Sequence, residues 1–299
     1  MNHETIIEQV SSHLGELVRL EAVEEDNFKD DISDSTKKFR VNVSTGPGFF
    51  LIMSGAGNPQ LMSRAVDNIK KISTQLSPKL SEYILQPVLA GTDQGLTYAM
   101  WPAKRPFPLE GRVKRFIARR RYAGGVLDWS DAVTHETLRD GSSSTFLSNL
   151  QTIYDEEEFP LPMRKAALLA QERLSSNVWS PKHCIHHGDF WIGNVLLPTS
   201  SDRPQFYVID WAGMQTDGYP FLDLARMLIS MRCPPRVCRD RIKKMCGNVE
   251  CDDQDIIPYV LSAVGHIGQN LEQFPPDLYR AMAVEVYNFM KLYASRPHI

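Results

Sequence analysis

The apolar residues of this chain change period once, near Trp101-Pro102, and that change limits the folds open to it. Before it, strand-like alternation and helical spacing take turns. Ile6, Ile7, Val10, Leu14, Leu17, Val18 and Leu20 predict an amphipathic helix over Glu4 to Val23. KKFRVNVSTGPGFFLIMSG reads as strand, turn at Thr45-Gly46-Pro47-Gly48, strand. Asn58 suits a helix N-cap and Pro59 a first helical position, ahead of Leu61, Met62, Ala65, Val66, Ile69, Ile72 and Leu76 on one face. SEYILQPVLAGT and LTYAMWP then read as a strand pair about Asp93-Gln94-Gly95. After Pro102 the spacing is mainly helical: Glu110 to Tyr122, Ser144 to Tyr154, Pro162 to Ser176, Phe221 to Met231, Asp255 to Phe274 and Pro276 to Ser295. Only Val195 to Leu197 and Phe206 to Ile209 look strand-like there. The expectation is an α+β amino-terminal lobe, residues 1–102, joined to a mainly helical carboxy-terminal lobe, residues 103–299.

Composition narrows the function classes. With 42% apolar residues in 299, the chain can bury a full-sized core and is not a disordered or fibrous sequence. A formal net charge of −3 gives no global pull toward nucleic acid or anionic lipid, so neither partner is expected. No apolar run is long enough to span a bilayer, and MNHETIIEQV has no basic segment followed by an apolar stretch. A cytoplasmic protein is expected. The 5 cysteines fit reduced thiols, and the C-x4-C-x7-C-x4-C spacing of Cys233, Cys238, Cys246 and Cys251 matches no zinc module.

The segment richest in chemistry is His187-Gly188-Asp189-Phe190-Trp191-Ile192-Gly193-Asn194, followed by Val-Leu-Leu. A second apolar run, Phe206 to Ile209, then delivers Asp210 and Trp211. Two carboxylates and an amide beside short strands suit Mg²⁺, which takes a few hard oxygen ligands from protein and the rest from water and phosphate. Phosphoryl transfer needs little more from a protein than positioning and charge neutralisation.

On these residues the chain resembles the aminoglycoside phosphotransferase and choline kinase superfamily, whose first motif reads H-G-D-x-x-x-x-N and whose second is an Asp after an apolar strand. Gly218-Tyr219-Pro220-Phe221-Leu222-Asp223-Leu224-Ala225 is similar to its G-x-P-x-x-D-L-A. The resemblance implies a protein-kinase-like bilobal fold: an amino-terminal lobe with a five-stranded antiparallel sheet and one helix, a hinge that binds adenine, and a helical second lobe. It implies an ATP-dependent phosphotransferase that requires Mg²⁺ and acts on a hydroxyl of a small molecule. Aminoglycoside, sugar, amino-alcohol and nucleoside-like acceptors all fit. Asp189 would orient the acceptor hydroxyl, with His187 arranging the loop, and Asn194 and Asp210 would hold the metal. Met100 and Trp101, in Tyr98-Ala99-Met100-Trp101-Pro102, would form the adenine hinge, and Asp223 would brace the loops.

One family feature is missing. The third strand, Phe49-Phe50-Leu51-Ile52-Met53, has no Lys for the donor phosphates, and the helix after it offers only Asp67 as an acid. Arg40, or Lys37 or Lys38, is the available substitute, and Ser33, Ser35 and Thr36 are candidate phosphate-contacting groups. The gap also leaves an alternative: an inactive kinase-like protein that binds nucleotide or acts as a scaffold. The retained Asp189, Asn194 and Asp210 favour the enzyme. Arg112, Lys114, Arg115, Arg119, Arg120 and Arg121 read as a solvated helix face, with nucleic-acid binding as the rival.

Overall fold

The computed structural model describes residues 4–23, 36–44, 48–199, 205–271 and 274–294. Along the chain run helix α1 (Glu4–Leu14), strands β1 (Arg19–Ala22), β2 (Lys37–Asn42) and β3 (Phe49–Met53), then helices α2 (Leu61–Gln75) and α3 (Pro78–Ser81). Next come β4 (Leu89–Asp93), β5 (Leu96–Pro102), β6 (Arg105–Pro106) and the long α4 (Arg112–Glu136). They are followed by β7 (Arg139–Asp140), α5 (Ser143–Asp155), α6 (Leu161–Ser175), β8 (Lys182–His186), a 3-10 turn at Ile192–Asn194, β9 (Val195–Leu197), β10 (Tyr207–Val208) and β11 (Gln215–Gly218). Helices α7 (Leu222–Met231), α8 (Pro235–Val249), α9 (Ile256–Gln269) and α10 (Pro276–Lys291) complete the chain.

The chain forms two compact units, and neither is contiguous in sequence. One comprises Met1–Pro106 with Leu196–Ala212, the other Phe107–Val195 with Gly213–Ile299. The boundary expected at Pro102 falls at Pro106, and the segment that ends just past Asp210 belongs to the first unit. Local pairing explains this. Arg105 and Pro106 pair with Leu197 and Leu196, Val208 bridges Ile84, and the rings of Tyr83 and Phe206 lie 4.6 Å apart.

In the first unit a five-stranded sheet has the order β1-β2-β3-β5-β4, with each neighbouring pair antiparallel. This is the sheet the resemblance implies. Strand alternation separates its two faces. Phe39, Val41, Leu51, Met53, Tyr98 and Met100 pack with Ile6 and Val10 of α1. The opposite face carries Thr97, whose hydroxyl donates to the Pro59 carbonyl at 2.8 Å and accepts from the Ser63 amide at 3.3 Å. The start of α2 is thereby fixed to that face.

In the second unit α5 and α9 cross at Gly265, where an added Cβ would lie 2.0 Å from the carbonyl oxygen of Asn149. Phe146, Trp179 and Tyr259 stack edge to face beside them, and Arg173 pairs with Asp255 at 2.5 Å. On β8 the side chains of His183, Cys184, Ile185 and His186 are all buried.

Several expectations are corrected. The first helix ends at Leu14, because Gly15 turns left-handed (φ 71°), and Arg19–Ala22 pairs with β2 as a strand. Asn58 does not cap α2, whose N-cap is Gln60 without a side-chain bond. Tyr98 to Pro102 lies within β5, every residue paired to β3. Residues 235–249, where the sequence reading named no element, form α8, with Cys238, Ile242, Met245, Cys246 and Val249 buried on its inner face. Cysteine here is a small apolar core residue. The turn at 45–47 and the acidic stretch 24–35 lie outside the described residues.

The approach at Gly265 gives a stability prediction. Gly265→Ala forces the backbones of α5 and α9 apart, and should lower unfolding stability by about 2 kcal/mol or more, as overpacked sites do. Urea denaturation measures it, and an unchanged midpoint would show that the helices do not cross this closely.

Candidate active site

The loop His187 to Asn194 is carried by β8 and lies wholly in the second unit. Its shape begins with Gly188 at φ 85°, a left-handed backbone that side chains resist. A Cβ there would also stand 2.9 Å from the Gly213 carbonyl oxygen. The loop's first amides are then fixed from outside. Asp223 accepts from the His187 N–H at 2.6 Å through Oδ2 and from the Gly188 N–H at 3.1 Å through Oδ1. Asp223 sits in the first turn of α7, yet its carboxylate serves the neighbouring loop, and Phe221, at φ 76°, caps the helix without a side-chain bond.

His187 is buried, and its Nδ1 accepts from the Asp189 N–H at 3.3 Å. It therefore shapes the loop from within. Asn194 closes the loop by donating through Nδ2 to the Asp189 carbonyl at 2.8 Å and to Asp189 Oδ2 at 3.0 Å. Its amide oxygen is the atom left to ligate a metal. The other Asp189 oxygen, Oδ1, accepts from Nη2 of Arg226, with the Asp189 side chain 47% exposed and that of Arg226 19%. Both carboxylate oxygens are thus held, each with further lone pairs for a donor. Ser230 adds a third support, its Oγ accepting from the Ile192 N–H at 3.1 Å.

Asp223, Arg226 and Ser230 follow one another at three- and four-residue spacing on α7, so one helix face supports the loop at successive turns. Arg226 and Ser230 went unnoticed in the sequence. Their periodicity was visible, but their partners, Asp189 and Ile192, lie more than thirty residues away in the chain.

Behind the loop, His186 is fully buried, and its Nδ1 accepts from the Tyr219 N–H at 3.4 Å. Burial pulls its pKa down from 6.5 to about 4, partly offset by the Asp223 carboxylate. Burial also raises the thiol of Cys184 well above its usual range, so it stays protonated. Among the described residues no group of His, Cys, Asp and Glu has the arrangement of a metal cluster.

Asp210 belongs to the first unit. It follows β10 in a left-handed conformation, φ 67°, which Asp tolerates better than most residues. The residues after it are tied to α2: Asn68 donates through Nδ2 to the Trp211 carbonyl at 2.8 Å and the Ala212 carbonyl at 3.2 Å. Buried Trp211 returns its indole N–H to the Val208 carbonyl at 3.2 Å. Asn68, another residue the sequence did not reveal, is an α2 side chain that reaches this loop. Asp67 instead points outward, exposed and 3.8 Å from Lys70.

The other sequence candidates also lie in the first unit. Met100 is buried against α1, and its carbonyl already accepts from the Val88 N–H at 2.8 Å. Trp101 is half-buried, in register with Phe50, which in turn faces Arg40. Arg40 is exposed and Thr36 half-buried, while Ser33 and Ser35 lie outside the described residues.

Comparison with known proteins bears on the fold and on the segment that carries this loop. Residues 144–244 match the phosphotransferase enzyme family. Among solved structures, the GDP complex of wild-type aminoglycoside 2'-phosphotransferase-IIIa is similar at 13% identity and TM-score 0.57, covering 98% of this chain and 99% of that one. Macrolide 2'-phosphotransferase MphH from Brachybacterium faecium is similar at 13% identity and TM-score 0.55, with 95% and 97% covered. Choline kinase LicA from Streptococcus pneumoniae is similar at 12% identity and TM-score 0.53, with 97% and 99% covered. No curated protein matches the chain.

The buried imidazole gives a pH test. In the unfolded chain His186 takes a proton near pH 6.5, and in the folded chain only near 4, so folding stability is full above pH 6.5 and is lost as pH falls toward 4. The loss should reach about 3 kcal/mol, and His186→Asn should remove that part of the slope. Urea melts at stepped pH, compared between the two proteins, measure the difference. The segment that carries the braced loop matches the phosphotransferase enzyme family, and the chain as a whole has the kinase-like fold of the aminoglycoside phosphotransferases and choline kinases.

Proposed function

We propose that this protein transfers the γ-phosphoryl group of ATP to a hydroxyl of a small molecule. The observation that carries the reading is Asp189, held through one oxygen by Arg226 and through the other by Asn194, in a loop braced by Asp223. A carboxylate fixed in this way is suited to accept a hydrogen bond from an acceptor hydroxyl and align its oxygen on phosphorus. In the reaction that oxygen forms the new P–O bond, the bond between the γ-phosphorus and the β–γ bridging oxygen breaks, and ADP leaves. The hydroxyl proton passes to the Asp189 carboxylate late in the step. Asn194, through its amide oxygen, and Asp210 are assigned to Mg²⁺, which would neutralise charge on the donor phosphates. Arg226 touches the acid and positions it.

The sheet register supports a substitute for the missing strand-three lysine. Lys38 lies opposite Ile52 and Arg40 opposite Phe50, on the α2 face. Lys37 has the parity of Phe39 and Val41, which point into the α1 core. Lys38 and Arg40 are therefore the cations assigned to the donor phosphates, and Trp101, beside Phe50 on the same face, to the base. The match to the phosphotransferase family supports this enzymatic reading over an inactive scaffold.

Calorimetric titration with ATP and Mg²⁺, beside an ADP-release assay over hydroxyl acceptors, tests the assignment. GTP is included as donor because the aminoglycoside 2'-phosphotransferase-IIIa structure holds GDP. Asp189→Asn should abolish turnover with nucleotide affinity nearly unchanged, and Asp210→Ala should remove the Mg²⁺ dependence of binding. Absence of nucleotide binding at millimolar concentrations overturns the function. In the same titration Lys38→Ala should weaken nucleotide binding about tenfold or more, the scale of one charge-assisted contact, and Lys37→Ala should not. Equal effects of the two would remove the strand-two assignment.

A further inference from the structure

The first three turns of α4 carry an outward face that catalysis does not use. Val113, Phe116 and Ile117 are 70%, 59% and 59% exposed, at the i, i+3, i+4 spacing of a helical stripe about 100° wide. Leu109, just before the helix, is 43% exposed. Arg120 falls within the stripe, with its guanidinium over the Phe116 ring at 5.9 Å, while Arg112 flanks one side and Lys114 and Arg121 the other. These four cations are exposed, and none is in an ion pair among the described residues. No carboxylate occurs from Gly111 to Leu127. The inward face is packed: Ala118 is buried, and Arg119 donates to the Ser230 carbonyl at 2.8 Å.

We propose that this face of α4 docks on an anionic lipid surface, with Val113, Phe116 and Ile117 inserted at the headgroup boundary and Arg112, Lys114, Arg120 and Arg121 on the lipid phosphates. An apolar stripe rimmed by long cationic side chains is the design of an interfacial helix, because their aliphatic stems lie along the apolar layer while their charges reach the headgroups. Charge selects among occupants. A second copy of the chain would bring the same cations face to face. A nucleic acid would engage the cations but has no use for three exposed apolar side chains. The chain's net charge of −3 means that this attraction is local to the helix. No described helix is long and apolar enough to cross a membrane, which leaves a helix lying in the surface plane.

Sedimentation of the full chain with vesicles tests this. The protein should pellet with vesicles of equal parts phosphatidylglycerol and phosphatidylcholine, stay in solution with phosphatidylcholine alone, and be released by high salt. Phe116→Ser with Ile117→Ser should weaken partitioning about tenfold or more. Lys114→Gln with Arg120→Gln and Arg121→Gln should weaken it on the order of a hundredfold, with the melting temperature unchanged. The second variant leaves the apolar stripe intact, so the test stands even if the first fails to fold. The inference is overturned if wild-type protein does not pellet with the anionic vesicles, if phosphatidylcholine alone pellets it equally, or if the variants bind as well as wild type. A dimer in sedimentation velocity that the serine variant dissolves would assign the face to a second copy instead. Duplex DNA binding that survives the serine variant, without lipid binding, would assign the cations to nucleic acid.

Discussion

The Asp223 carboxylate, accepting from two successive loop amides, is the contact on which the rest of the His187–Asn194 loop depends. Gly188 brings the chain through a left-handed turn, and without an acceptor the amides of His187 and Gly188 would be buried donors with no partner. Once they are held, Asp189 emerges where Arg226, one turn further along α7, can reach it. A single rigid helix thereby sets both the backbone and the acid. Under the proposed function, such an arrangement would need no reorganisation when a substrate arrives.

The same economy appears in the first unit. A sheet face is a row of neighbouring positions, so a cation lost from one strand can be supplied by the adjacent strand at the paired position, close to the original point. Under the proposed function, Lys38 opposite Ile52 would be such a replacement by register. The acid of α2, Asp67, is exposed beside Lys70. From α2, Asn68, a neutral amide, holds the carbonyls after Asp210.

Much of the fold was legible where periodicity was unmixed. The helices from α5 to α7 and the paired strands β2, β3 and β5 came close to their observed limits, because burial on one side imposes a period the sequence must show. Legibility failed where composition masked period. The strand Lys182–His186 carries two histidines and a cysteine, yet residues 183–186 are buried, with His183 Nδ1 donating to the Gly218 carbonyl at 3.1 Å. The helix Pro235–Val249 was hidden by thiols that serve as apolar side chains. The segment Tyr98 to Pro102 belongs to β5 throughout, because its pairing to β3 runs to Pro102.

The sequence alone determined the order of the chemistry: a loop with His187, Gly188, Asp189 and Asn194, then Asp210, then an acid at the start of a helix. Those residues sit at fixed short spacings, and local backbone geometry suffices to group them. The tertiary structure decided what holds them. Arg226 on Asp189, Ser230 on the loop, Asn68 behind Asp210 and Lys38 beside Ile52 are all encounters between distant stretches of chain. Such partners are selected by packing and register, which no local spacing encodes.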